Sequence, residues 1–186
     1  MARFEILDTP LSGLKVIQRK PIGDSRGYFE RFFCQKELQD VLAGSSIAQI
    51  NHSQTVKAGT VRGMHFQYSP HAEKKFVSCV KGEVFDVAVD IRRNSPTFLQ
   101  WHAQILSAHN HKTLAIPEGF AHGFQSLTEE SEILYLCTAA YAPESESGLN
   151  PDDMAIKIGW PLEIVEISER DKTRPFLDES FRGLIV

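Results

Sequence analysis

Two of the seven histidines stand in company that suits chemistry more than packing. His65 belongs to the run Arg62-Gly63-Met64-His65-Phe66-Gln67, and the pair Lys74-Lys75 follows, its second lysine ten residues on. An imidazole titrates near neutral pH, so one flanked by a guanidinium and an ammonium can act as a base beside a bound anion. His122 lies in Ile116-Pro117-Glu118-Gly119-Phe120-Ala121-His122-Gly123-Phe124. His52, His71, His102, His109 and His111 lack such neighbours and are expected to be hydrogen-bonded core or rim residues. Asp86 and Asp90 fall inside a strand pattern and are expected to structure a polar interior.

The elements that must position these groups are short and β-rich. Segments rich in Val, Ile, Phe and Tyr, separated by Gly, Pro, Asn or Ser, predict strands at Leu14–Arg19, Tyr28–Cys34, Ile47–Ser53, Thr60–Gln67 and Phe76–Val80. Further strands are expected at Glu83–Ile91, Leu99–Leu106, Thr113–Ile116, His122–Leu127 and Glu132–Thr138. In Phe85–Ile91 apolar and polar residues nearly alternate, the pattern of a half-buried strand. Lys81-Gly82 and Asn94-Ser95-Pro96 supply turns. The one helix expected is Gln35–Ala43, with Leu38, Val41 and Leu42 on one face and Gly44 placed to stop it. Many short strands at this spacing indicate an all-β sandwich or closed barrel. Beyond Thr138 the pattern weakens into polar turns, a last short strand at Ile156–Ile158, and a tail of surface-packed segments.

Composition narrows the function classes. A chain of 186 residues is of single-domain size, so residues 1–186 are read as one domain. The formal charge of −4 argues against a nucleic-acid binder, which usually carries a basic face. Cys34, Cys79 and Cys137 are widely spaced and form no CxxC, which suits a reducing cytoplasm. The first eight residues do not read as a signal peptide. No apolar run approaches the ~20 residues that span a bilayer. No Gly-rich dinucleotide loop is present, so no redox cofactor is expected.

The Pro117-x-Gly119-x-x-His122 spacing resembles one of the two short signatures of the cupin barrel, a jelly roll. In metal-binding cupins the other signature supplies His-x-His. Here it reads His65-Phe66-Gln67, and an amide is a poor ligand for a first-row transition metal, so no metal is expected. The chain as a whole resembles the dTDP-4-dehydrorhamnose 3,5-epimerase family over nearly its full length. The resemblance is carried by ordered blocks: Asp24-Ser25-Arg26-Gly27-Tyr28-Phe29-Glu30, Gln49-Ile50-Asn51-His52-Ser53, Arg62 to Gln67 and Lys75-Phe76-Val77. It continues through Phe85 to Arg92, Ser95-Pro96-Thr97-Phe98, Ile116 to Phe124, Tyr135, and the Ser-x-x-Asp of Ser168 to Asp171.

That resemblance implies a nucleotide-diphosphate sugar as substrate, a homodimer with N-terminal strands crossing between barrels, and a set of roles. His65 would be the general base, oriented by Asp171; Tyr135 the general acid; Lys75 the group that stabilises an enolate oxygen. Arg26, Glu30, Gln49, Asn51, Arg62 and His122 would hold the substrate. Taken as residues alone, Tyr135 also fits a core position, Asp171 a cap or tether for the tail, and Arg26 with Glu30 an exposed ion pair of little consequence. Three positions depart from the family pattern. Leu136 follows Tyr135 where lysine is usual, Ala140 replaces the first of two tyrosines, and Gly148-Leu149-Asn150-Pro151-Asp152 lacks the usual tryptophan. These departures bear on whether the nucleotide is dTDP or CDP, and on whether carbons 3 and 5 or carbon 3 alone are inverted. The competing readings are a ketoisomerase or single-site epimerase, a metal-dependent cupin, and a non-catalytic sugar-binding cupin.

Overall fold

The computed structural model describes residues 2–186. Its strands are β1 (Phe4–Asp8), β2 (Lys15–Arg19), β3 (Ile22–Asp24), β4 (Gly27–Phe29), β5 (Gln49–Thr55), β6 (Thr60–Gln67), β7 (Lys75–Lys81) and β8 (Glu83–Asp90). There follow β9 (Trp101–Ser107), β10 (Lys112–Ile116), β11 (Phe120–Ser126), β12 (Ser131–Cys137), β13 (Glu146–Gly148) and β14 (Glu166–Ile167). Helix is confined to α1 (Gln39–Leu42), α2 (Glu169–Lys172) and a single 3-10 turn, Pro143–Ser145. One six-stranded sheet runs β1-β2-β10-β7-β12-β5; the other runs β13-β6-β11-β8-β9, with β14 pairing parallel to β6. The remaining pair, β3–β4, is a separate antiparallel hairpin. The architecture is the expected all-β, cupin-like jelly roll. Among the described residues no helix is long and apolar enough to cross a membrane.

Alternation along the strands divides the apolar side chains into three layers. Between the sheets lie Leu14, Val16, Val77, Cys79, Val84, Ala88, Leu106, Leu114 and Phe124, all buried. On the outer face of the first sheet, Ile17, Phe76, Ala115 and Leu136 pack under Leu38 and Leu42 of the α1 segment. On the outer face of the second sheet, Met64, Phe66, Val87, Val89 and Ala121 are covered by Leu149, Ile156, Leu184, Trp160 and Phe181 from the C-terminal third. The tail is thus the third layer of the fold. Each such fully buried Leu or Phe contributes roughly 1.5–3 kcal/mol by leaving water.

Several expected boundaries are corrected. Of Tyr28–Cys34 only the first residues are strand, as β4. The following segment leaves the hairpin so that Phe33 can join the outer layer and Phe32 can lie under the Arg19 guanidinium, 4.0 Å from its ring centre. The helix over Gln35–Ala43 contracts to α1 after a run of turns, and Ala43 ends it in the left-handed region at φ 48°. Ile156–Ile158 is no strand, because Ile156 packs from a turn that Asp153 organises through its backbone carbonyl. β1, β3, β13, β14 and α2 lie outside the strands and helix expected from sequence; all are short pieces that gain their partners only on folding.

Candidate active site

The inward faces of the two sheets carry different chemistry. On the first sheet, β12 pairs with β5 so that Ile133, Tyr135 and Cys137 stand opposite Ser53, Asn51 and Gln49; on its other side Tyr135 and Cys137 stand opposite Val77 and Lys75 of β7. The intervening β5 residues Ile50 and His52 face outward and are exposed. The period of two therefore places Gln49, Asn51, Lys75 and Tyr135 on one wall.

The second sheet needs a further device. Arg62 and His65 are three residues apart on β6, so an unbroken strand would send them to opposite faces. The ladder between β6 and β11 is interrupted there: His65 pairs with His122, but Arg62 pairs with Phe124, a register shift of the β-bulge kind. Gly63 (φ +126°) and Gly123 meet backbone to backbone at this point. A Cβ on Gly63 would lie 2.5 Å from Gly123 Cα, and one on Gly123 would lie 2.7 Å from the Arg62 carbonyl oxygen. With both side chains missing the strand bends, and Arg62 and His65 both line the same cavity, Arg62 from an exposed position.

Two cavities result, one of about 390 Å³ and one of about 330 Å³. His65, Lys75 and Tyr135 line both, so they mark the junction. Arg62, His122, Ser168 and Asp171 line the first; Gln49, Asn51, Gln67, Glu73 and Glu146 line the second. His65 comes from one sheet, and Lys75 and Tyr135 from the other, so imidazole and phenol approach the junction from opposing walls.

Asp171 reaches His65 from across the chain. Ser168 is the N-cap of α2 and its side-chain oxygen accepts the Asp171 N–H at 3.1 Å, which fixes the turn that points the carboxylate inward. Asp171 Oδ1 lies 2.6 Å from His65 Nε2, and Oδ2 accepts the Gly63 N–H at 3.3 Å. Burial alone would raise the Asp171 pKa. The hydrogen bonds from His65, Gly63 and Ser168, together with the His65 charge, outweigh it and hold the carboxyl below its ordinary value. A carboxylate on one ring nitrogen fixes the tautomer and leaves the other nitrogen free to take a proton. Burial, aided by nearby Cys137 and Glu73 and opposed by Arg62, raises the pKa of Tyr135. Lys75 Nζ lies 3.2 Å from Glu73 Oε1, with both side chains largely buried.

His122 is buried, and its Nε2 lies 2.9 Å from Asp86 Oδ2. Asp86 thus backs the cavity-lining His122 from within the sheet, and Asp90 belongs to a polar cluster with Arg92, Ser95 and Thr97. The Gln67 amide is engaged at both ends, donating to the His71 carbonyl at 2.9 Å and accepting the Ala142 N–H at 2.7 Å, so it fastens the loop after β12.

Two expected substrate contacts are not brought to the cavities by this chain. Arg26 sits at the turn of the β3–β4 hairpin, 87% exposed and paired with Asp24. Glu30 is turned into its own framework, its carboxylate 3.0 Å from Arg19 Nε and 2.9 Å from His111 Nδ1. The expected exposed Arg26–Glu30 pair is therefore absent: a buried arginine, which also donates to Ser78 and Thr113, recruits Glu30 instead. Sequence reasoning passes over Glu73, Glu146, Tyr141 and Arg170. The last three form a chain in which Tyr141 Oη donates to Glu146 at 2.6 Å and Arg170 pairs with the same oxygen. Only Glu73 has a local signal, standing two residues before Lys75.

Known proteins share both this sequence and this architecture. The family model described as dTDP-4-dehydrorhamnose 3,5-epimerase matches residues 8–179. The dTDP-4-dehydrorhamnose 3,5-epimerase of Salmonella typhimurium is 42% identical over 177 residues, covering 94% of this chain and 96% of that one. Among solved structures, the dTDP-6-deoxy-D-glucose-3,5-epimerase of Legionella pneumophila, in complex with dTDP-4-keto-L-rhamnose, superposes with a TM-score of 0.90 at 39% identity and covers 98% and 99% of the two chains. A 3'-monoepimerase of Streptomyces bikiniensis, in complex with dTDP-quinovose, gives 0.83 at 30% identity and covers 91% and 86%. On this match in sequence and architecture, the chain belongs to the dTDP-4-dehydrorhamnose 3,5-epimerase family.

Proposed function

We propose that the protein epimerises a nucleotide-linked 4-keto-6-deoxyhexose, forming dTDP-4-dehydrorhamnose from dTDP-4-dehydro-6-deoxyglucose. The observation that carries the reading is the opposition of the His65–Asp171 pair on one wall to Tyr135 and Lys75 on the other. A ketone at carbon 4 acidifies the protons at carbons 3 and 5. His65 removes one, and the C–H electrons pass into an enolate whose oxygen the Lys75 ammonium stabilises. Tyr135 gives its phenolic proton to the same carbon from the opposite side, which inverts it. No electrons are gained or lost overall, so the chemistry calls for no redox cofactor. Arg62, Gln49, Asn51 and His122 line the space in which the substrate would be held. Non-catalytic sugar binding would leave a paired acid and base without a task.

The active assembly in this reading is a homodimer, with the β3–β4 hairpin crossing to the neighbouring copy and Arg26 serving that copy's site. The hairpin supports this by exposing Ile22, Tyr28 and Phe29 together with Arg26. Three free thiols fit a cytoplasmic setting. The test is proton NMR of dTDP-4-keto-6-deoxyglucose with the protein in deuterium oxide. Solvent deuterium at carbons 3 and 5 is expected. Deuterium at carbon 3 alone would make the enzyme a monoepimerase. No exchange with the dTDP sugar but exchange with its CDP counterpart would reassign the nucleotide, and exchange with neither would overturn the reading.

A further inference from the structure

The second cavity contains a carboxylate that the proposed chemistry leaves unused. Glu73 lies in the extended segment just before β7, with its side chain 9% exposed, and its Oε1 is 3.2 Å from Lys75 Nζ. The wall it joins is otherwise lined on its own sheet by Gln49, Asn51, Tyr135 and Cys137. We propose that Glu73 is a positioning residue, its carboxylate anchoring the Lys75 ammonium at the junction of the two cavities and balancing that cation beside the Tyr135 phenol.

The inference rests on the epimerase reading above and follows from the lysine's length. A flexible four-carbon stem with a point charge at its end has many rotamers, and a stabilising charge must be held in place before the reaction if it is to act in the transition state. Glu73 supplies that hold from within the wall. Electrostatics gives it a second task. A cation beside a phenol favours phenolate, and phenolate has no proton to return. The register sets Lys75 opposite Cys137 and so diagonal to Tyr135 on the same inward face. Arg62 on the facing sheet favours the phenolate of Tyr135, whereas burial and Glu73 favour the phenol. Burial pushes the Cys137 thiol up to about 12, with Glu73 adding to it, so that thiol carries no charge at neutral pH. Of the other titratable groups lining the two cavities, His65, His122, Glu146 and Glu166 come from the opposing sheet, Arg170 and Asp171 from α2, and Tyr141 from the loop after β12, while β5 offers the neutral Gln49, Asn51 and Ser53.

The test is Glu73→Gln in the full chain, read in two ways. Ultraviolet titration of tyrosinate, taken as a difference against the Tyr135→Phe variant, follows Tyr135 without reference to any substrate. Its midpoint is expected to move to lower pH in Glu73→Gln. With the sugar nucleotide, kcat is expected to fall about tenfold to a hundredfold, with KM unchanged and the alkaline limb of the pH profile moved in the same direction. A tyrosine titration that does not move overturns the proposal, as does a raised KM with kcat intact, which would make Glu73 a ligand contact. Should Glu73→Gln fail to fold, Glu73→Asp draws the carboxylate back while keeping its charge. It should lower kcat at constant KM, and an unaltered kcat there overturns the idea. If the titration moves but the wild-type protein turns over neither sugar nucleotide, the epimerase reading has failed and the electrostatic role of Glu73 stands.

Discussion

His65 and His122 face each other across one rung of the β6–β11 ladder, and each is paired with an aspartate. The two pairs are built differently. His122 meets Asp86 from β8, the next strand of the same sheet, and both side chains are buried, at 10% and 0% exposure. Among the described residues none hydrogen-bonds Asp86 Oδ1, which is buried there. His65 is a third exposed, and its aspartate arrives from α2, 106 positions along the chain. One pair is fixed by strand spacing alone. The other is assembled only when the C-terminal segment docks on the sheet. The same two residue types thus make a deeply buried pair when both come from adjacent strands, and a partly open pair, the reactive one in the proposed mechanism, when one comes from an added layer at the cavity.

The largest expected effect breaks the comparison outright if it fails. His65→Ala should lower turnover by about 10²- to 10⁴-fold, and by leaving the buried Asp171 carboxylate without its partner it should also cost about 1–3 kcal/mol in urea denaturation. Comparable turnover in that variant would remove His65 from the chemistry. Asp171→Asn should come next, with a loss of about 10- to 100-fold measured as kcat at saturating substrate, because the amide cannot support the imidazolium. Asp86→Ala sharpens the contrast from the other side. It should cost about 1–3 kcal/mol in urea denaturation, by leaving His122 buried without its partner, and should leave kcat within a few-fold of the original. A kcat loss equal to that of Asp171→Asn would mean both pairs are catalytic.

The smallest effect is in acid stability. The Asp171 carboxyl is held below its ordinary value in the folded protein, so the unfolded chain takes up that proton first as pH falls. The stabilisation is therefore fully present above the unfolded value of ~4 and is lost as pH drops through the folded one. Urea midpoints followed from pH 6 downward should fall less steeply for Asp171→Asn than for the original chain. Parallel curves would show that the His65–Asp171 contact contributes nothing to folding.

Much of this arrangement is legible in the amino-acid sequence. Alternation in β8, the turns at Lys81-Gly82 and Asn94-Ser95-Pro96, and the dense short strands specify an all-β sandwich, because a period of two buries one face of a strand. The same alternation dictates that Gln49, Asn51 and Ser53 share a face, and that Tyr135 and Cys137 share another. Family resemblance points to His65, Lys75, Tyr135 and Asp171, and all four line the cavities. It points equally to Arg26 and Glu30, but one projects into solvent and the other is consumed by Arg19.

Other features are decided only in three dimensions. Local patterning puts Arg62 and His65 on opposite faces; the close approach of Gly63 to Gly123 puts them on one, since only two bare backbones can come that near. The β7 residue opposite Cys137 is Lys75, and that follows from a register no single strand encodes. The tail reads as surface segments because its apolar residues have no period of their own, yet Leu149, Ile156 and Leu184 cover the second sheet and bring Asp171 with them. Strand periodicity is a property of neighbours along the chain, and sequence determines it. Which residues meet across a cavity is a property of neighbours in space, set by burial of apolar surface that no short stretch can achieve by itself.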